Sequence, residues 1–125
     1  MAARRYLDWL TRETRTEWWH DSADPAEIDR ALLRGAVGAT TNPLLASFAI
    51  AANRGRWDAE IREVLARGLD AERKAEELMR VPVSCTAATF QPEFGRSGGT
   101  RGFVCGQVDP NRAGDREAML GMARR

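Results

Sequence analysis

The sequence predicts an α/β fold built on a parallel sheet. Three segments with the composition of strands, 17–21, 36–41 and 102–108, are each followed by a turn and then by a segment with helical spacing of apolar residues. Strands that alternate with helices pair in parallel, because each helix carries the chain back across the sheet. The carboxyl ends of such strands lie together at one edge, where α/β proteins bind ligands.

The first strand, 17–21, ends in the carboxylate of Asp21. After a short turn, Asp24 suits the N-cap of a helix, Pro25 suits its first position and Glu27 its third. Because Asp24 already supplies the cap, we expect Asp21 to belong to a site. The alternative interpretation is a simple turn acid.

The second strand leads from the apolar run 36–39 into Thr40 and Thr41. β-branched residues favour strands, whereas Pro43 has no N–H for a strand ladder and suits the start of a helix. Asn42 therefore lies at a strand-to-helix junction, either as a ligand-binding amide or as an ordinary turn residue. The predicted apolar face of the following helix comprises Leu44, Leu45, Phe48 and Ala52.

The segment between the second and third strands is predicted to be helical around 57–65 and again from Asp70. Pro82 should kink or stop the second of these helices, because proline removes a helical hydrogen bond. The pair at 98–99 is Gly-Gly, which predicts a loop before strand three, and a last helix is expected near 115–124. The predicted buried face of the helix from Asp70 comprises Ala71, Ala75 and Leu78.

Strand periodicity groups the candidate site residues. Side chains alternate between the two faces of a strand, so His20 lies opposite Asp21, and Cys105 shares a face with Gln107. Asp21, Asn42 and Gln107 would then converge from three strand ends. A Gln107 satisfied within the sheet layer is the alternative. The aromatic pair at 18–19 is expected in the core, and Cys105 is expected to be a buried structural thiol.

Composition limits the partners and the compartment. A net charge of +1 gives no electrostatic reason to expect nucleic acid or a membrane surface, and no 18-residue apolar run is present. His20 is the only histidine and no Cys-x-x-Cys occurs, so metal-ligand spacing is absent. Two cysteines, Cys85 and Cys105, in a chain without a signal peptide predict a cytoplasmic protein.

Three segments resemble the first three strand ends of the transaldolase family, which includes small-sugar-phosphate aldolases. They are Asp21 to Asp24, Gly38 to Leu44 and Gly106 to Asp109, in the family's order and with a longer helical insertion before strand three. The resemblance covers most of the chain, from Trp9 to Arg125. It implies a (β/α)8 barrel, which typically needs about 250 residues. We therefore expect residues 1–125 to be one partial domain, the N-terminal three β/α units, ending before strand four.

The resemblance also implies Schiff-base chemistry on a sugar phosphate, without a metal or an organic cofactor. A lysine amine attacks the ketose carbonyl, and the iminium accepts electrons when the C–C bond breaks. The dihydroxyacetone unit then passes to an aldehyde, or is released in the aldolase members. By this resemblance Asp21 is the catalytic acid or base, and Asn42, beside Thr41, binds a hydroxyl of that unit. Gln107 stands where transaldolases usually carry a glutamate, although the aldolase-like branch can carry glutamine there.

The nucleophile is the main departure from the family pattern. The family's lysine lies on strand four, whereas the single lysine of this chain, Lys74, lies in a highly charged helical segment. A solvated lysine is a poor Schiff-base former. We therefore expect the 125-residue chain alone to be inactive. The alternative is a non-catalytic module that binds a sugar phosphate or assembles with a half-barrel partner, a second copy of itself included.

Overall fold

The computed structural model describes residues 6–125, which form a parallel sheet with helices packed against it. The strands are β1 (His20–Asp21), β2 (Gly38–Thr41) and β3 (Phe103–Gly106). The helices are α1 (Tyr6–Glu13), α2 (Pro25–Leu33), α3 (Pro43–Ala52), α4 (Asp58–Ala66), α5 (Ala71–Arg96) and α6 (Arg116–Arg124). The expectation of a missing signal peptide falls partly on residues 1–5, which lie outside the described residues.

The sheet has the strand order β1-β2-β3, and both pairings are parallel. Asp21 lies opposite Thr40, and Thr40 lies opposite Cys105. The α/β fold with a parallel sheet that the sequence predicts is therefore confirmed. The strands are shorter than predicted, because β1 contains only His20 and Asp21 and β3 ends at Gly106.

Local sequence chemistry sets the helix starts. The carboxylates of Asp24, Asp70 and Asp115 each accept a hydrogen bond from a backbone N–H in the first turn of α2, α5 and α6 respectively. Such caps satisfy donors that have no partner inside the helix. Pro25 and Pro43 occupy the first positions of α2 and α3, where a missing N–H is tolerated. These predicted helix starts are confirmed.

The sheet core lies between the strands and the helices α2 and α5. Its buried residues are Ile28, Ala31, Ala36, Ala39 and Phe90, and the partly buried Trp18, Leu32 and Val104 pack against them. The members of this cluster from β2 and β3 are Ala39 and Val104, which neighbour each other in register. The helices therefore cover the sheet face that carries Ala39 and Val104.

A second cluster joins the helices between β2 and β3. It contains the buried Ala23, Ala49, Trp57 and Ile61, with Ile50, Leu78, Val81 and Cys85 packed against them. Trp57 is the N-cap residue of α4 and is buried, as are Ile61 and Val64 within that helix. Because Leu78 and Val81 belong to α5, this cluster fixes the first half of α5 against α3 and α4.

A kink or a stop was expected at Pro82, and the stop is wrong, because the long helix α5 continues through this residue. The helix runs from Ala71 to Arg96 with Pro82 and Pro92 inside it. Pro82 is itself buried, and its carbonyl accepts a hydrogen bond of 2.9 Å from the buried Thr86 hydroxyl. Proline has no N–H to donate to the carbonyl one turn earlier, so burial of its ring, rather than that hydrogen bond, is what favours the helix at this residue. No helix among residues 6–125 is long and apolar enough to cross a membrane.

Two contacts align α5 with β3. A Cβ on Gly106, the last residue of β3, would lie 3.3 Å from the Val83 side chain. At the other end of the strand, a Cβ on Gly102 would lie 2.5 Å from the backbone nitrogen of Phe94. Gly102 has a φ of 82°, a conformation that glycine adopts without strain. After the loop that contains the predicted Gly-Gly pair at 98–99, the chain therefore reverses direction and enters β3 in close contact with α5.

Two predicted apolar faces are wrong. In α3 the buried residues are Ala46 and Ala49, whereas Leu44, Phe48 and Ala52 are exposed. Small side chains at the contact let α3 approach its neighbours closely, and Ile50 packs against the second cluster, whereas Leu44 and Phe48 point elsewhere. In α5 Ala71 and Ala75 are exposed, and Leu78 alone of the three predicted residues packs against a core cluster.

Candidate functional site

The sheet face opposite the helices carries the predicted acid. Asp21, Thr40 and Cys105 are register partners across β1, β2 and β3, so they form one row on the same face. Asp21 and Cys105 are exposed, so the expected burial of the Cys105 thiol is wrong. The physical reason is that Cys105 lies on the face that the described helices leave open. We call this side of the sheet the open face.

The indole of Trp19 also lies on the open face. A Cβ on Gly38 would lie 2.8 Å from the Trp19 ring. The absence of a side chain at Gly38 therefore leaves room for this ring to lie over β2. Trp19 is 41% exposed, and its expected place in the core is therefore wrong. Trp18, by contrast, is partly buried against the sheet core, and its indole N–H donates to the Arg34 carbonyl at 3.3 Å.

Asp21 is held by the neighbouring strand. The Thr40 hydroxyl donates a hydrogen bond of 2.8 Å to Oδ1 of Asp21. The backbone N–H of Ser22 donates to the Thr40 carbonyl at 3.1 Å, which extends the strand pairing past the last residue of β1. Thr40 was not among the residues selected from the sequence. The alternation rule could have found it, since Thr40 rather than Thr41 shares the face of its register partner Asp21.

A buried polar group supports the turn after Asp21. The Ser22 hydroxyl donates to the Glu27 carboxylate at 2.6 Å and accepts the backbone N–H of Asp24 at 3.0 Å. Nε2 of His20 lies 3.8 Å from the same carboxylate, on the opposite side of the strand from Asp21. The predicted orientation of His20 away from Asp21 is therefore confirmed. Glu27 thus links the end of β1 to the first turn of α2.

The carboxylate of Asp24 joins two helices. It accepts the Glu27 N–H at 3.0 Å as the cap of α2, and the Asn53 amide after α3 donates to it at 3.0 Å. The hydrogen bond from Asn53 lowers the pKa of Asp24, against an opposing effect of burial, with further lowering by the backbone N–H groups of α2. Asp24 therefore remains ionised, and its role beside the candidate site is to join α2 to the end of α3.

Asn42 is the N-cap residue of α3. Its side-chain Oδ1 accepts the backbone N–H of Leu45 at 2.9 Å. Within the described part of the chain, its Nδ2 donates no hydrogen bond to the protein, so this amide group keeps its donors for another partner. The side chain can therefore cap the helix and donate to a ligand at the same time.

Thr41 has a different environment from Thr40. It is buried, and its hydroxyl donates to the backbone carbonyl of Cys105 at 3.1 Å. The alternation of side chains places it on the helix side of β2, together with Ala39. Its assignment to substrate binding stays a prediction, and the structure gives its hydroxyl a partner within the sheet.

Gln107 follows β3 and is exposed. Its backbone N–H donates to the Thr41 carbonyl at 3.1 Å, which fixes the residue one step beyond the strand. Together with Thr41 and Asn42 it lines a cleft of about 780 Å³. The structure thus brings three of the four predicted site residues to one cleft, whereas Asp21 lies outside its lining.

The cleft lies between the first turns of α5 and helix α6. Its floor carries apolar side chains such as Met79, Val83 and Met122. Its rim is closed by ion pairs, in which Arg112 contacts Glu72 and Arg125 contacts Glu76. The rim is therefore charged and internally neutralised.

These ion pairs shift the ionisation of the groups that form them. Hydrogen bonding to Arg125 lowers the pKa of Glu76, although burial opposes the effect. Hydrogen bonding to Glu72 raises the pKa of Arg112, and hydrogen bonding to Glu76 raises the pKa of Arg125. Glu76, Arg112 and Arg125 therefore stay charged near neutral pH, and both arginines are paired with a carboxylate, so neither is a free cation in the cleft.

The single lysine lies away from the open face. Lys74 belongs to the first turns of α5, in the helical layer, and does not line the cleft. Among residues 6–125 there is also no group of three or more His, Cys, Asp or Glu side chains placed to hold a metal ion. The chemistry that the described residues themselves offer is hydrogen bonding and proton transfer at the strand ends.

The fold and the strand-end residues define a class, an α/β protein with polar side chains at the carboxyl edge of a parallel sheet. A sequence model of the transaldolase/fructose-6-phosphate aldolase family matches residues 18–125. The chain therefore belongs to that family, as its sequence resemblance predicted. It corresponds to the N-terminal part of the family's proteins.

Curated relatives agree with this assignment. The chain is 33% identical over 91 residues to a transaldolase of Acidothermus cellulolyticus, which covers 73% of this chain and 24% of the relative. It is 30% identical over 88 residues to transaldolase 1 of Streptomyces avermitilis, a match that covers 70% of this chain and 23% of the relative. It is 29% identical over 104 residues to transaldolase 1 of Streptomyces coelicolor, a match that covers 83% of this chain and 26% of the relative. The chain thus spans about a quarter of the length of the curated relatives that it matches.

Proposed function

We propose that this chain supplies the first three strand ends of a transaldolase-like barrel that acts on sugar phosphates. In this proposal β1, β2 and β3 with their following helices are the N-terminal β/α units of the barrel. The observation that carries the proposal is the hydrogen-bonded pair of Asp21 and Thr40 on the open face, with Asn42 and Gln107 directly after the ends of β2 and β3 at the same edge of the sheet.

Asp21 is the acid and base of the proposed reaction. An exposed carboxylate at the end of β1 has one oxygen bonded to Thr40 and the other available to a substrate hydroxyl. Such a group accepts the proton of the hydroxyl beside the breaking C–C bond and returns it in the reverse step. Its position on the open face lets it reach a substrate that lies over the strand ends.

Asn42 and Gln107 bind the substrate and its water in this proposal. Nδ2 of Asn42 donates to a hydroxyl of the dihydroxyacetone unit while Oδ1 caps α3. The amide of Gln107 orients a water molecule but transfers no proton of its own. With glutamine at this position, the proton transfer rests on Asp21.

The amine that forms the Schiff base comes from a lysine other than Lys74. A Schiff-base lysine needs a desolvated site or a cationic neighbour. Lys74 lies in the helical layer rather than on the open face, on a helix rich in ion pairs. We therefore expect no turnover and no borohydride-trapped adduct when the 125-residue chain is incubated with fructose 6-phosphate. An adduct on Lys74, located by mass spectrometry, would contradict this assignment.

The experiment that tests the proposed role of the strand ends is a chimaera. Residues of this chain replace the aligned 91-residue segment of the Acidothermus cellulolyticus transaldolase, and turnover of fructose 6-phosphate with erythrose 4-phosphate is measured. We expect an active chimaera in which Asp21→Asn lowers kcat by about 10²–10⁴-fold, the usual effect of losing a general acid or base. The matched control is Asp29→Asn on the exposed side of α2, which should leave kcat unchanged. A chimaera that folds but is equally active with Asn at position 21 excludes the role of Asp21.

A second candidate function is assembly without catalysis. The exposed Trp19, which directly precedes β1, and the exposed Phe103 of β3 favour it, because large apolar side chains on an open sheet face are typical of an interface. Sedimentation of the purified chain distinguishes the two functions. A stable dimer whose formation is prevented by Trp19→Ser supports assembly, whereas a monomer at all concentrations excludes a homodimer through this face.

A further inference from the structure

The hydrogen bond between Thr40 and Asp21 joins the two strands at the proposed site. The two residues are direct partners in the pairing of β1 with β2, and Oγ1 of Thr40 lies 2.8 Å from Oδ1 of Asp21. Within the described part of the chain, the Asp21 carboxylate forms no other hydrogen bond or ion pair. Its orientation relative to the strand therefore depends on this one side chain.

Asp21 needs such support because its own surroundings restrain it little. It is exposed, and it is the last of only two residues in β1. An exposed side chain with free staggered rotamers exchanges between them rapidly. Without a partner, the carboxylate would point towards a substrate for only part of the time, and misorientation of a catalytic group lowers the rate.

Thr40 is well suited to orient a neighbour. It lies inside β2 with a paired strand on each side, opposite Asp21 in β1 and opposite Cys105 in β3. Its β-branched side chain has a stiff χ1 angle. Its carbonyl accepts the Ser22 N–H at 3.1 Å, so the same residue holds both the backbone after Asp21 and the carboxylate itself.

The neighbouring threonine does not duplicate this contact. Thr41 is buried on the helix side and donates its hydroxyl to the Cys105 carbonyl at 3.1 Å. The two threonines therefore have separate tasks, in which Thr41 joins β2 to β3 and Thr40 faces the site.

We propose that Thr40 is a positioning residue that fixes the rotamer of Asp21 so that Oδ2 remains free and directed over the open face. This role deepens the proposed function, because it concerns the residue proposed there as acid and base. Thr40 acts through the carboxylate of Asp21 and itself transfers no proton.

The test is an NMR measurement on the 125-residue chain, which requires no catalysis. The couplings between the α and β protons of Asp21 report its χ1 rotamer. We expect two unequal couplings, which indicate one rotamer, in the unchanged chain and in Thr40→Ser, which retains the hydroxyl. In Thr40→Val, which preserves the shape of the side chain, we expect the couplings to become averaged. Thr40→Ala serves as a second variant if valine perturbs the fold.

The matched control is Thr41→Val, which removes a hydroxyl from the adjacent residue and should leave the Asp21 couplings unchanged. Unequal couplings that persist in both Thr40→Val and Thr40→Ala would overturn the proposal. Averaging in Thr40→Ser to the same extent as in Thr40→Val would also overturn it, because the hydroxyl would then not be responsible.

The positioning role and the proposed function can fail separately. The coupling measurement reports the orientation of Asp21 whether or not the residue takes part in chemistry. The chimaera with Asp21→Asn reports chemistry whether or not Thr40 orients the carboxylate. A chimaera that stays equally active with Asn at position 21, together with Thr40-dependent couplings, would therefore remove the proposed function and leave the positioning role standing.

Discussion

Arg125, the C-cap residue of α6, and Glu76 of α5 form a two-point ion pair across the cleft. Nε of Arg125 lies 3.0 Å from Oε1 of Glu76, and a terminal guanidinium nitrogen lies 2.9 Å from Oε2. Paired parallel hydrogen bonds of this kind fix geometry as well as charge. Helix α6 contains no buried residue. This ion pair and the contact of Arg112 with Glu72 therefore hold the α6 side of the cleft against α5.

We expect the stability given by this pair to depend on pH. Arg125 lowers the pKa of Glu76 in the folded chain from an ordinary value of 4.5, so the unfolded chain binds the proton more readily. The contribution is fully present above pH 4.5 and is lost as the pH falls through the lowered folded value. Glu76→Gln should therefore lower the Tm at neutral pH, and the difference from the unchanged chain should shrink on acidification.

Thermal unfolding followed by circular dichroism at several pH values measures this effect. Glu60→Gln, on an exposed position of α4, is the control for removing a carboxylate and should leave the Tm at neutral pH unchanged. Added salt should also weaken the effect of the Glu76 substitution, because exposed pairs are screened. A difference in Tm that stays constant from pH 7 to strong acid would be inconsistent with an ionic role.

The tight passage from α5 into β3 predicts a large difference between two glycine substitutions. In Gly102→Ala the new Cβ would lie 2.5 Å from the Phe94 nitrogen, at a φ of 82°. In Gly98→Ala the φ is 63° but the Cβ meets nothing within 4 Å. The strain of a left-handed alanine is about 1–2 kcal/mol, so Gly98→Ala isolates that effect. We expect Gly102→Ala to lose at least about 2 kcal/mol more, because a backbone clash is added. Similar free energies of unfolding in urea for the two variants would refute the close packing.

Phe90 should contribute much more stability than Phe48. Phe90 is fully buried in the sheet core, whereas Phe48 on α3 is 60% exposed. Replacing a buried phenylalanine with alanine typically costs about 3–5 kcal/mol, since it leaves a cavity. An exposed substitution usually changes stability by less than about 0.5 kcal/mol. Urea unfolding of Phe90→Ala and Phe48→Ala measures the contrast, and a large loss in Phe48→Ala would mean that the apolar face predicted from the sequence is the buried one after all.

Asn42 should show separable structural and binding roles. Asn42→Ala removes the cap of α3 and should cost about 1 kcal/mol. Asn42→Asp keeps an oxygen for the Leu45 N–H, so stability should be retained, but it removes the amide donor that we assign to the substrate. We therefore expect both substitutions to raise KM for fructose 6-phosphate in the chimaera, with only the alanine variant losing stability. Asn111→Asp controls for the added charge at an exposed site, and an unchanged KM in Asn42→Asp would limit Asn42 to capping.

The two cysteines should differ in reactivity. Cys105 is exposed on the open face, whereas Cys85 is half-buried and packs against the second core cluster. Thiols react according to their accessibility as well as their thiolate fraction. We expect iodoacetamide to label Cys105 faster than Cys85 in the 125-residue chain, as measured by mass spectrometry of each peptide. The variants Cys85→Ser and Cys105→Ser assign the two rates, and faster labelling of Cys85 would show that the open face is covered in solution.

The sequence predicts those features that depend on neighbours along the chain. Asp24 and Asp70 are recognisable as caps because the chemistry of a helix start lies within four residues. The strand end at Asp21 and the helix start at Pro43 follow from the same local signals. These signals place the carboxyl ends of the strands, and hence the candidate site, without knowledge of the packing.

Features that depend on distant neighbours were predicted less well. Helix α3 is apolar on nearly all sides, so its spacing fits more than one buried face, and the tertiary contact selects Ala46 and Ala49 rather than Leu44 and Phe48. A kink or a stop was expected at Pro82 because proline lacks the N–H of a helical hydrogen bond, and the burial of its ring could not be foreseen from the sequence. The exposure of Cys105 depends on which face of the sheet the helices cover, and no local pattern specifies that choice.

Helix α5 also determines how deep the strand-end site is. Val83 lies level with Gly106, the last residue of β3, whereas the helix begins at Ala71. At about 1.5 Å per residue, the part from Ala71 to Pro82 overhangs the end of the strand by about 18 Å. The cluster containing Leu78 braces this overhang against α3 and α4. A ligand at Gln107 would therefore lie against this part of α5, which shields one side of the ligand from solvent and restricts its approach to the opposite side.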